Sequence, residues 1–166
     1  MTSRSRPRAA APALPPFDRV LEQHGRAVLR FCVAEAGRER GEDCFQETVL
    51  AALRAYAGLR DPGAVRAWLF AIAARKVVDA HRAGTRGPEP VAEVDAHGAA
   101  DDAPRDGVLW ARVARLPEKQ RLAVSLRYRG DLSHREIADV MRTSEDAARR
   151  NVFEGLARLR KELSDG

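Results

Sequence analysis

The chain has 166 residues, ordinary apolar content, only 5% aromatic residues and a formal net charge of +5, with a pI near 9.8. That length suits one domain or two small ones, and so few aromatics favour small helical cores over one large sheet. Two lone cysteines, Cys32 and Cys44, and four scattered histidines (His24, His81, His97, His134) argue against a disulfide framework or a metal centre.

Arginine supplies 26 of the 29 basic residues. Its planar fork suits phosphate and guanine, although an arginine bias also follows from genomic base composition. Residues 1–16 carry Arg4, Arg6 and Arg8 among prolines and alanines and are expected to form a disordered basic arm. Pro12, Pro15 and Pro16 interrupt any signal-peptide core, and no stretch approaches a membrane span. A cytoplasmic protein without membrane insertion is expected.

Apolar residues Phe17, Val20, Leu21, Val28, Phe31 and Cys32 recur with helical period and predict a first helix from Phe17 to about Ala36. His24 lies on the same stripe and reads as a core or boundary histidine. A second helix is expected from about Glu42 to Tyr56, with Phe45, Val49, Ala52, Leu53 and Tyr56 inward. Its other face shows Asp43, Gln46, Glu47, Leu50 and Arg54, with the leucine amid acidic and amide groups. Such a face can anchor a partner helix with basic flanks, or be an ordinary solvated face with one exposed leucine.

In the loop Arg60-Asp61-Pro62-Gly63, Asp61 reads as a cap and Pro62 as the first residue of a third helix reaching about Ala83. Leu69, Ala73, Val77 and Ala80 line one side, while Trp68 and Ile72 lead into Arg75, Asp79 and Arg82 on a neighbouring row. Those charges fit either local salt bridges or contacts to a nucleic-acid backbone. Residues 88–107 then hold six acids against one arginine and predict an unfolded acidic linker. Charge is thus partitioned, with +3 on residues 17–87 and +4 on residues 108–166 on either side of a −5 tether.

The last segment, Leu116 to Leu163, reads as helix, short helix, tight turn and long basic helix. Pro117 fits a first helical position, Gly130 a left-handed helix stop, and Ser133 with Glu136 a capping box. Thr143 or Ser144 can cap the final helix, whose buried stripe is Ala148, Val152, Leu156, Leu159 and Leu163. Glu145, Asp146, Arg149, Arg150 and Phe153 lie off that stripe. Periodicity alone fits a helix-turn-helix or a plain three-helix bundle with a charged face.

Two blocks together resemble one family. The runs EDCFQETVLAALRAY and AVRAWLFAIAARKVVDAHR are similar to region 2 of bacterial sigma-70 factors, especially the short extracytoplasmic-function (ECF) type. The block LPEKQRLAVSLRYRGDLSHREIADVM, followed by SEDAARRNVFEGLARLRKEL, resembles their region 4. The resemblance implies an all-α chain of two small helical domains, at residues 17–87 and 108–166, joined by the flexible acidic linker. It implies a non-enzymatic factor that binds core RNA polymerase at the β′ clamp helices and the β flap, and directs initiation at a two-part promoter. An anti-sigma partner is a family expectation, and no cofactor is implied.

By the same resemblance Asp43, Gln46, Glu47 and Leu50 would meet polymerase. Arg60, Arg75, Lys76, Asp79 and Arg82 would lie at or near the −10 element, and Ser144, Glu145, Asp146, Arg149 and Arg150 at the −35 element. The tether, at roughly 3.4 Å per residue, is long enough for the about 55–60 Å between elements at about 3.4 Å per base pair. Three departures bear on specificity. Arg75 stands where an asparagine is usual, Arg142 where the turn glycine is usual, and Asp146-Ala147-Ala148 where Gly-Thr-Val is common. The family therefore does not dictate the −35 sequence. Rival readings are a helix-turn-helix regulator independent of polymerase and a sigma-like decoy that does not support initiation.

Overall fold

The structure, a computed structural model, describes residues 13–84 and 104–165. Residues 1–12 of the basic arm and most of the acidic tether lie outside the described residues; Leu14 packs on the core and the Pro15 carbonyl accepts from the Tyr56 hydroxyl. The described residues form seven α-helices: α1 (Phe17–Ala36), α2 (Arg38–Ala55), α3 (Val65–Gly84), α4 (Pro104–Val113), α5 (Glu118–Tyr128), α6 (His134–Met141) and α7 (Glu145–Ser164). Helix α4 begins inside the segment expected to be linker, and α2 begins four residues before the Glu42 expected from periodicity.

Helices α1, α2 and α3 form a bundle around Val20, Val28, Phe31, Cys32, Cys44, Ala52, Leu69, Phe70, Ala73 and Val77. Phe31 and Phe70 meet edge to face at 5.5 Å, the arrangement that places a ring's positive edge on its neighbour's negative face. A single residue, Gly37 at φ 81°, joins α1 to α2. One turn later the two backbones touch, because Gly41 has no side chain. A Cβ there would lie 2.4 Å from Val33 Cα and 2.7 Å from the Cys32 carbonyl oxygen.

That close approach corrects the inner face expected for α2. The buried residues are Gly41, Cys44, Thr48 and Ala52, with Phe45 and Tyr56 packed at the margin. Leu53, expected inward, is 55% exposed. The hairpin fixes the rotation of α2 by backbone contact rather than by its largest side chains.

Helices α4 to α7 build the second unit. Ser133 accepts from the Glu136 N–H at 3.2 Å, and Glu136 accepts from the Ser133 N–H at 2.7 Å, so the expected capping box is present. Ser144, rather than Thr143, caps α7 by accepting from the Ala147 N–H at 3.1 Å. Ala148, Val152 and Leu159 are buried as expected, but Leu163 at the frayed end of α7 is exposed. Pro117 is the residue before α5 rather than its first.

The expected left-handed Gly130 is also corrected. The positive φ falls on Asp131 (54°). Gly130 is instead a point of close approach, where a Cβ would lie 2.6 Å from the Leu126 carbonyl oxygen and 3.3 Å from the Phe70 ring.

Phe70 belongs to the first unit and Gly130 to the second, so the two pack together. Leu126, Leu132, Ile137 and Ala138 share one continuous apolar cluster with α1 and α3. The Arg66 Nε–H donates to the Gly130 carbonyl at 2.5 Å, and the Glu35 carboxylate of α1 bonds Arg121 and Ser125 of α5.

Gly41→Ala separates two opposing terms. Alanine in a helix gains about 1 kcal/mol over glycine, whereas overpacking costs about 1–3 kcal/mol, and the obstacle here is backbone that cannot rotate away. A net loss of up to about 2 kcal/mol is expected, lowering the melting temperature by up to roughly 4–8 °C. A circular-dichroism melt that rises instead would disprove the close contact.

Candidate functional site

The candidate residues fall on three faces outside the cores. The first is on α2. Asp43, Gln46 and Glu47 are exposed, and among them stand Leu50, 52% exposed, and Leu53, 55% exposed. These leucines are three residues apart and therefore neighbours on one helix face. Leu53 escaped the sequence reading because its period also fits the inner stripe.

The second face is the loop into α3 and the row that follows. Asp61 Oδ1 accepts from the Gly63 N–H at 2.8 Å, which sets a short 3₁₀ turn, Pro62–Ala64, before α3. The expected cap is present, one turn ahead of the α-helix. Arg60, Arg75, Asp79 and Arg82 are exposed, and among the described residues Arg75 has no ion-pair partner. Lys76 is different. Its ammonium lies 3.4 Å from Glu47 of α2, so the first and second faces adjoin. Trp68 packs with Tyr56, ring centroids 6.1 Å apart, at the edge of the core.

The third face opens α7. Glu145 and Asp146 occupy the first turn, where their charge suits the positive end of the helix dipole. Arg149 reaches back to both, at 3.1 Å from Glu145 Oε1 and 3.3 Å from Asp146 Oδ1. All three are well exposed, so each pair is worth a few tenths of a kcal/mol. Their value lies in holding one guanidinium between two carboxylates. Ser144 and Arg150 are exposed beside them. Phe153, 66% exposed, follows one turn after Arg149. The sequence placed it off the buried stripe but gave it no role; a large aromatic away from the stripe was the available signal.

The remaining reactive groups are structural. Both cysteines are free and buried, and burial, then the neighbouring Cys44, push the Cys32 thiol up to about 12. Burial, then Arg66, hold His24 below the usual imidazole range, which fits a boundary histidine. Among the described residues no group of His, Cys, Asp and Glu side chains could hold a metal ion, and no helix is long and apolar enough to cross a membrane.

The chain matches known proteins across both helical units. The sigma-70 region 2 family profile covers residues 20–87, and the sigma-70 region 4 profile covers residues 107–159. The ECF RNA polymerase sigma factor SigD of Mycobacterium tuberculosis is 35% identical over 159 residues, covering 87% of this chain and 75% of SigD. The ECF sigma factor RpoE of Cereibacter sphaeroides is 31% identical, covering 75% of this chain and 73% of its own length. The chain belongs to the ECF sigma factors of the sigma-70 family.

Two solved folds agree. The sigma factor RpoE of Bartonella quintana, in complex with the anti-sigma factor NepR, superposes with a TM-score of 0.76 at 20% identity, covering 89% of this chain and 96% of that one. CnrH, in complex with the cytosolic domain of CnrY, gives 0.68 at 22% identity, covering 90% and 88%. As an ECF sigma factor the protein binds core RNA polymerase and directs promoter-specific initiation. Its α6–α7 pair is the helix-turn-helix.

The turn of that motif differs from the usual glycine in a measurable way. Arg142 takes the left-handed conformation, φ 52° and ψ 51°. This costs an L-residue roughly 1–2 kcal/mol, more than the roughly 0.5–1 kcal/mol of chain entropy that glycine forfeits. Arg142→Gly is therefore expected to stabilise the sigma factor by about 0.5–1 kcal/mol, read as a higher denaturant midpoint at unchanged slope.

Proposed function

We propose that the three faces divide initiation among themselves. Helix α2 docks on the polymerase clamp through Leu50 and Leu53, with Asp43, Gln46 and Glu47 oriented toward basic flanks of the partner helix. Two adjacent exposed leucines inside an acidic rim are the observation that carries this assignment, because an apolar centre with a polar surround is the usual anatomy of a binding hot spot.

Arg60, Arg75, Lys76, Asp79 and Arg82 then face the −10 element, where strand opening leaves bases to be held in a loop pocket. The N-terminal turn of α7 enters the major groove at the −35 element. There Arg149 reads a guanine edge, Arg150 contacts phosphate, Ser144 caps the helix at the backbone, and Phe153 lies against a thymine methyl. Glu145 and Asp146 lower the local positive charge, so this reader binds DNA in general less tightly than its arginines alone would. The factor is non-catalytic. Both solved neighbours are complexes with an anti-sigma factor or a partner's cytosolic domain, which supports a protein inhibitor of the same kind here.

Run-off transcription with core polymerase tests this division. Leu50→Ala with Leu53→Ala should weaken core binding at least tenfold while leaving α7 able to bind −35 DNA. Arg149→Ala should spare core binding and cost about 1–3 kcal/mol at one guanine. Loss of the same step in both variants would refute the division.

Asp146→Ala should act in the opposite sense. Non-specific DNA binding should tighten and the salt dependence should steepen by about one phosphate contact, roughly 0.9 in log–log slope. An unchanged slope would remove Asp146 from the DNA face.

A further inference from the structure

The Tyr56 hydroxyl has no part in the three faces. Tyr56 opens the 3₁₀ turn Tyr56–Gly58 directly after α2. Its ring meets two others, Phe17 at 5.2 Å and Trp68 at 6.1 Å, and its hydroxyl donates to the Pro15 carbonyl, 41 residues away in sequence. Phenylalanine would make the same ring contacts. What the hydroxyl adds is the bond to Pro15.

The acceptor is itself held in place. Leu14 packs on the core, and the Pro16 carbonyl accepts from the Arg19 N–H at 3.0 Å, which ties it to the first turn of α1. Pro16 lies at φ −53° and ψ 142°, an extended conformation whose φ the proline ring fixes. Residues 14–16 therefore form a short brace against which Tyr56 leans.

The chain after Tyr56 is the loop into α3. At its start the Leu59 N–H donates to the Tyr56 carbonyl at 3.0 Å, and Leu59 packs against the core. At its end Asp61 Oδ1 holds the Gly63 N–H, and the Ala64 N–H donates to the Asp61 carbonyl at 3.1 Å. Between these points Ala57, Gly58 and Arg60 are exposed. Glycine adds backbone freedom there, so the place of Arg60 depends on how firmly Tyr56 is fixed.

We propose that Tyr56 is a positioning residue for −10 recognition, its hydroxyl ordering the loop that presents Arg60 before DNA is bound. A loop ordered in advance loses less conformational entropy on binding. The Tyr56 hydroxyl touches no base in this role and acts through Leu59 and Arg60. The consequence for promoters rests on the assignment of Arg60 to the −10 element; the ordering of the loop does not.

Tyr56→Phe tests this, since it keeps the ring contacts and removes the bond. In the full chain without DNA, hydrogen–deuterium exchange should quicken across residues 57–61, Leu59 above all, and stay unchanged within α1 and α3. In the holoenzyme, affinity for a single-stranded oligonucleotide of the non-template −10 strand should fall about two- to tenfold, the range one net hydrogen bond spans. Core binding and −35 duplex binding should not change. Weaker strand binding with unchanged loop exchange would make Tyr56 a direct DNA contact and overturn the positioning role. Unchanged strand binding, where Arg60→Ala weakens it, would overturn that role and leave the −10 assignment standing. No effect of Arg60→Ala on strand binding would overturn the −10 assignment and the role of Tyr56 with it.

Discussion

Phe31 and Phe70 meet where α1 and α3 cross, both without measurable exposure, and most of the architecture is arranged about that meeting. Phe31 commits α1 to a fixed rotation, which sends Glu35 one turn onward toward α5. Phe70 commits α3, and its ring lies 3.3 Å from where a Cβ on Gly130 would stand. The same pair of rings therefore organises the N-terminal bundle and supplies the surface on which the C-terminal unit sits. Aromatics are few in this chain, and the two largest buried ones are spent at this junction.

The candidate faces are what this packing leaves over. Each of α2, α3 and α7 has one stripe committed to the core, and the candidate residues lie off it. Helix α2 offers two exposed leucines beside Asp43 and Glu47, α3 a row led by Arg75, which has no ion-pair partner among the described residues, and α7 an arginine between two carboxylates. The Lys76 to Glu47 ion pair ties the first two together. Among the described residues, the third is joined to them through the contact between the units.

The helices, their caps and the two-unit plan were legible because they rest on local chemistry. Ser133 with Glu136, Ser144, Asp61 with Pro62, and the spacing of Ala148, Val152 and Leu159 all act within a turn or two of the chain. Leu53 and Leu163 were misplaced for a physical reason. Period alone cannot say how wide a buried arc is, and Gly41 narrows it on α2 while the free end of α7 shortens it. Gly130 looked like a helix stop because the left-handed turn came one residue later, on Asp131. The packing of α5 and α6 on α1 and α3 was not legible at all. Glu35 reads as an ordinary exposed acid until its partners, nearly ninety residues away, are brought to it.

The one-residue joint at Gly37 has a further implication for how this surface can evolve. Helices advance about 100° per residue, and α1 and α2 share a joint with no slack. An insertion or deletion there would not lengthen a loop. It would turn α2 about its axis by roughly a quarter of a revolution or more, carrying Leu50 and Leu53 away from the side they now face and bringing charged residues against Val33. The α2 surface is thus free to change by substitution, residue by residue, while its orientation is inherited unaltered from α1.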